Sequence, residues 1–336
     1  MSPEPIVAGL LCAVLALYVL TGGADFGGGL WDLLARGPRQ IRQRRAIAIA
    51  IGPIWEANHV WLIVAIVITF VCFPASFAAI GTALHVPLSL MLIGIVIRGT
   101  SFVFRSYDSR DFEVQRRWSF LFASASACTP VLLGVVVGSI ASGKIVVEKG
   151  QVVGGFFHAW IQPFPWAVGL LTLAIFAFLA AVYMTVKTHD DVELQEDFRR
   201  NGLFAAGAVF CLAWFAFFLS KSGAPTVWNG LWDAPLSIPF QVWVGTIGIG
   251  CIGSLYFRWY IWARRLAAFQ VLLVIAGWAF SQWPYVVPPN LTVFDAAPPN
   301  VLWLVIAVLL TGALPLIPAY AWLLYVFRDG SDSSSH

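Results

Sequence analysis

The sequence predicts an all-α fold: a polytopic membrane bundle of about nine transmembrane helices, with the N-terminus outside and the C-terminus in the cytoplasm. Three observations predict it. Of 336 residues, 60% are hydrophobic and only 11% are charged, where a soluble domain carries about 25% charged residues. Apolar stretches long enough to cross a bilayer recur along the whole chain. Lysine and arginine crowd into alternate connections, as the positive-inside rule requires. A mean hydropathy of +0.82 and sixteen tryptophans agree. This composition excludes soluble enzymes and nucleic-acid binders.

The spans fall at roughly 6–34, 46–73, 76–104, 118–141, 161–186, 202–220, 237–257, 266–287 and 301–327. The first lacks a basic leader and is too long for a cleavable signal peptide. Sixteen basic residues follow the odd-numbered spans, beginning with Arg36, Arg39, Arg42, Arg44 and Arg45. The opposite side has three: Lys144, Lys149 and Lys221. The remaining one, Arg98, lies inside span 3. One integral membrane domain, 1–328, is expected. Its helices 1–4 (1–141) carry the polar motifs, helices 5–9 (142–328) form an apolar scaffold, and 329–336 make a flexible tail. Cys12, Cys72, Cys128, Cys211 and Cys251 read as small core hydrophobes.

The unusual segment of span 1 is "TGGADFGGG", Thr21 to Gly29. Gly23-x-x-x-Gly27 makes a small-residue face that lets another helix approach closely. Asp25 is one of two acids placed well inside a span; the other is Glu56. Asp32 stands at the end of span 1 and is expected to pair with Arg36. Asp25 lies 11 residues before Arg36, and Glu56 lies 11 residues after Arg45. At 1.5 Å per residue both should sit about 16 Å from the basic end. Arg98, seven residues before Arg105, should lie about 10 Å in. Consecutive antiparallel helices pack together, so two carboxyls and a guanidinium should converge. Span 2, "GPIWEANHVW", adds Asn58 and His59, with Trp55 and Trp61 as walls and Pro53 as a possible kink.

Two readings of this constellation compete. Either an acid pairs with Arg98 merely to fix helix register, or Asp25 and Glu56 line a proton track opening at the cytoplasmic end. Two acids exceed what one arginine neutralises, which favours the track. His59 and His85 are weak haem-ligand candidates. Gly22 to Gly29 does not fit a dinucleotide loop, and no metal-ligand spacing or activated nucleophile is present.

The motifs "TGGADFGGGLWDLL", "IGPIWEANHVWLI" and "RGTSFVFRSYD", in that order and spacing, are similar to those of subunit II of the cytochrome bd-type terminal oxidases, including the cyanide-insensitive branch. The resemblance implies a nine-helix subunit, itself without haem, metal or catalytic residues, beside a larger haem-bearing subunit I. That partner would hold b- and d-type haems, or b-type alone, and reduce O2 to water with quinol as donor. Lipid is an expected neighbour, the family leaves room for a small single-helix subunit, and no nucleic-acid partner is expected. Glu56 falls on the acid of the family's W-[DE]-x-N motif, which lines a proton route. Asp25 looks like the second acid of a D-G-x-D pattern, whose first acid is replaced here by Gly22. Arg98 looks like the family's span 3 arginine, and Trp55, Asn58 and His59 would support the route. The alternatives are a stand-alone proton-coupled transporter, which should carry polar groups in both halves, and a purely structural partner.

Overall fold

The computed structural model describes residues 2–52, 55–107, 112–155 and 157–326. Helix α1 (Pro3–Leu34) begins on a proline, which has no N–H to leave unsatisfied at a helix start. It ends before Gly37, whose φ of +81° an L side chain rarely adopts. Span 2 arrives in two pieces, the basic α2 (Gln40–Ile51) and the apolar α3 (Trp55–Cys72). The expected kink at Pro53 lies outside the described residues, as does the tail 329–336. Span 3 is also divided, into α4 (Pro74–Ala83) and α5 (His85–Tyr107), and α6 (Phe112–Ala141) follows.

The second half contains α7 (Pro163–Lys187), α8 (Val192–Gly223), a short α9 (Pro225–Trp232), α10 (Ser237–Tyr256), α11 (Tyr260–Gln282) and α12 (Pro299–Val326). Among the described residues, nine helices are long and apolar enough to cross a membrane. They match the nine spans expected from hydropathy.

Helix α7 forms the centre. It packs on α1, α6, α8 and α11, and its Phe176, Leu179, Ala181 and Val182 are fully buried. The glycines of α1 make this possible. A Cβ on Gly23 would come within 2.9 Å of the Phe176 ring, and one on Gly27 would overlap the Phe176 carbonyl. In lipid no hydrophobic force drives helices together, so close van der Waals approach through small residues does much of the holding.

Ion pairs buckle the basic end. Arg39 forks onto Asp197 with both bonds at 2.7 Å, and Gln43 donates to the same carboxylate at 2.8 Å. Arg42 reaches Asp191 and Glu193. These contacts tie α2 to the start of α8. Asp32 corrects its expected pairing. It is 1% exposed and bound by Arg105 at 2.9 Å, with Arg44 at 3.9 Å. Helix α1 stops at Leu34, so Arg36 does not continue the helix one turn past Asp32; it is solvent-exposed instead.

The opposite end is capped by two hairpins absent from the sequence reading. Strands β1 (Val146–Glu148) and β2 (Gln151–Val153) meet at Lys149-Gly150. Both turn residues have positive φ, 50° and 77°, as a two-residue primed turn requires. Strands β3 (Tyr285–Val287) and β4 (Leu291–Thr292) form the second hairpin. Val287 joins Leu84, Val135, Ile145 and Trp160 in an apolar lid. The cysteines divide: Cys72 and Cys251 are buried as expected, but Cys128 and Cys211 are exposed. In a bilayer an apolar residue can face lipid as well as core.

Gly27→Val should strip α1 from α7 and lower the yield of folded protein. Gly9→Val, with nothing within 4 Å of its added carbon, should be tolerated. Overpacking of this kind costs about 1–3 kcal/mol or more, readable as a thermal shift in detergent.

Candidate functional site

The polar residues inside the bundle assemble around Asp25, Asn58 and Arg98. Their exposures are 3%, 0% and 1%. Each comes from a different helix: α1, α3 and α5. Asn58 donates through Nδ2 to Asp25 Oδ2, and it makes a longer contact to the Thr21 carbonyl at 3.4 Å. Its carbonyl is taken as well. The Tyr320 hydroxyl on α12 donates to Asn58 Oδ1 at 2.7 Å.

Arg98 is held differently. Its Nε donates to Ser126 Oγ at 3.2 Å, and that hydroxyl donates onward to the Phe122 carbonyl at 2.7 Å. The guanidinium carbon stands 4.6 Å from the Phe26 ring centroid and 5.4 Å from that of Phe122. Desolvated cation–π contacts of this kind are worth ~2 kcal/mol or more. Gly29 permits the arrangement, because a Cβ there would overlap Ser126. Asp25 and Arg98 are both buried in this interior, yet no direct ion pair between them occurs among the described residues. Arg98 Nη2 is buried without a hydrogen-bond partner.

His59 sits in an aromatic frame. Its ring centroid is 6.3 Å from Tyr18, 5.9 Å from Phe26 and 6.4 Å from Trp55. Trp55 leans on Phe102 at 5.8 Å and fits over Gly99. Trp61 meets Tyr320 edge-on at 5.9 Å. Both tryptophans therefore wall the site as expected. His85 lies at the far end of α5, with Nδ1 3.0 Å from the Thr82 carbonyl.

Glu56 does not join them. The expected convergence holds for Asp25 and Arg98, but Glu56 is exposed on the outside of α3. Helix geometry explains the difference. Residues two apart point about 200° apart, so with Asn58 turned toward α1, Glu56 must face away. It heads an exposed apolar stripe of Val60, Ile63, Val67 and Phe70. Sequence reasoning also missed Tyr18, Phe26, Ser126 and Tyr320. "ADF" and "SASAC" carry weak signals for two of these; Tyr320 reads as an ordinary aromatic anchor.

Fold and site together define a nine-span helical membrane protein with one buried acid–amide–guanidinium site. Among the described residues it has no cluster of three or more His, Cys, Asp or Glu able to hold a metal. A family model described as cytochrome bd terminal oxidase subunit II matches residues 4–327, and the chain belongs to that family. Similar curated proteins include the cytochrome bd-I ubiquinol oxidase subunit 2 of Escherichia coli K12, 27% identical over 191 residues, 55% of this chain and 49% of that one. Another is the putative cytochrome bd menaquinol oxidase subunit II of Bacillus subtilis 168, 21% identical over 309 residues, 88% of this chain and 86% of that one. The match spans about half the length of the E. coli relative. Among solved structures, a chain of the bd oxidase from Geobacillus thermodenitrificans superposes with a TM-score of 0.76 at 22% identity. That likeness covers 97% of this chain and 99% of the other, and it shows the shared fold.

Arg98→Leu should leave Asp25 buried without its compensating charge. Removing one member of a buried charge set costs on the order of 3–5 kcal/mol, so the variant should assemble poorly. Adding Asp25→Asn should recover much of the lost yield, measured as folded protein on size-exclusion chromatography.

Proposed function

We propose that this chain works as the second subunit of a quinol-oxidising, O2-reducing membrane complex and helps deliver protons from the cytoplasm through Glu56 and Asp25. The carrying observation is the exposure of Glu56 on an otherwise apolar helix face. A carboxylate facing hydrocarbon costs at least ~2.5 kcal/mol. A protein partner that covers the α3 stripe and offers polar groups or water to Glu56 removes that cost. Helix α3 then carries one acid on its outer face and holds the other through Asn58 on its inner face.

The partner is a haem-bearing subunit I, as the family assignment supports. The haems belong to that partner on this reading. Of the two histidines weighed as ligands here, His85 turns Nδ1 to the Thr82 carbonyl, and His59 is packed among aromatic rings with its buried Nδ1 unpaired. Bound haem supplies the redox chemistry, and this chain's residues supply protons and shape the boundary. The basic loops set the N-terminus outside and the C-terminus inside. A transporter reading loses support because α7 to α12 carry no acid or base in their apolar cores.

A register-fixing role for the charges remains the competing reading, favoured by the stacking of Arg98 on Phe26 and Phe122. Glu56→Gln separates the two. It should slow O2 consumption at least about tenfold, since general acid–base groups contribute roughly 10²–10⁴, with haem content per complex unchanged. Asp25→Asn should slow it less. Unchanged turnover in an assembled Glu56→Gln complex would leave only the structural role.

A further inference from the structure

We infer that Tyr320, on the last span, is a positioning residue for Asp25 that acts through Asn58; the inference rests on the proton-delivery reading above. Tyr320 lies 262 residues from Asn58 in sequence, yet its hydroxyl donates to Asn58 Oδ1 at 2.7 Å. Asn58 in turn donates through Nδ2 to the Asp25 carboxylate. The tyrosine ring is set by Trp61, which meets it edge-on at 5.9 Å.

The chemistry of the amide gives this chain of bonds its meaning. An asparagine presents an acceptor on one side and two donors on the other, and it can rotate end for end. The Asp25 carboxylate, which only accepts, sets which end faces it, and the Tyr320 hydroxyl pins the far end by donating to Oδ1. With Oδ1 occupied by the phenol, the NH2 group is turned to Asp25. Flipped, the amide would set its oxygen against the carboxylate oxygen, and a buried acceptor facing an acceptor costs free energy. Tyr320 thereby reinforces the orientation that suits an ionised Asp25 and fixes the position of the amide that donates to it. The amide carries no proton that it can readily give up, so the chain of bonds holds the acid and does not itself conduct.

This assignment gives α12 a task in the site. From Pro299 to Val326 it contains no charged residue, and little of it is buried within this chain. Together with the Trp61 contact, the Tyr320–Asn58 bond fastens this peripheral helix to the polar centre.

The test uses the complex purified with its partner, carrying Tyr320→Phe, Asn58→Ala, both changes, or Asp25→Asn. Tyr320→Phe deletes one oxygen and keeps the ring against Trp61, so haem content should be retained. The carboxyl band of Asp25, assigned in infrared difference spectra by its loss in Asp25→Asn, should move in Tyr320→Phe. Turnover should fall about three- to tenfold, the scale of one lost hydrogen bond. The double variant should be no slower than Asn58→Ala alone. An unmoved band, or a multiplicative loss in the double variant, would overturn the assignment. If Asp25→Asn leaves turnover intact, the proton-delivery reading fails, while a displaced band still upholds the positioning of Asp25 by Tyr320.

Discussion

A guanidinium buried in a membrane helix must be compensated without water, and the inner site is organised around that requirement. Arg98 is held by a hydroxyl at Nε and by the rings of Phe26 and Phe122, with Asp25 as a buried opposite charge in the same interior, while its Nη2 is left without a partner among the described residues. None of these alone suffices for a desolvated charge. Each depends on close helix approach. Ser126 reaches Arg98 because Gly29 has no side chain, and α1 reaches α7 because Gly23 and Gly27 have none. The glycine-rich stretch is therefore a packing device. It brings α1, α5, α6 and α7 near enough for one acid and one base to share a dry interior.

Helix α3 divides that interior from the outside. Its inner face contributes Asn58 and its outer face Glu56, two residues apart on opposite sides. On the proposed reading the wall has a protonatable group on each side, one serving the subunit boundary and one serving the core. His59, Trp55 and Phe26 fill the space between with rings. Aromatic packing limits stray hydration, which keeps the charge of Arg98 felt at Asp25. On that same reading Glu56 gains its role when a partner subunit covers the outer face of α3.

Much of this was legible in the sequence. The spans followed from apolar length, and Asp25, Glu56 and Arg98 stood out as charged residues where hydrocarbon was expected, with Asn58 as a supporting neighbour. The facing of span 2 was not legible. Glu56 and Asn58 are both polar, and hydropathy does not say which one the neighbouring helix will claim. Asp32 misled for a related reason: Arg36 was near in sequence, but Arg105, 73 residues away, was near in space. The hairpins escaped because three-residue strands carry almost no periodic signal, although Lys149-Gly150 is a turn in retrospect. Tyr320 was hidden by chemistry. A tyrosine near a span end is an ordinary interfacial anchor, and only the fold brings its hydroxyl to Asn58.

On the proposed reading protons reach the reaction through Glu56 and the Asp25 site. Time-resolved proton uptake by the reconstituted complex, followed with a pH dye on the side of the basic loops after O2 is admitted, tests it most directly. In Glu56→Gln electrons should reach the haems at the normal rate while the proton-uptake phase is delayed. Uptake that keeps pace with the unaltered complex would contradict it.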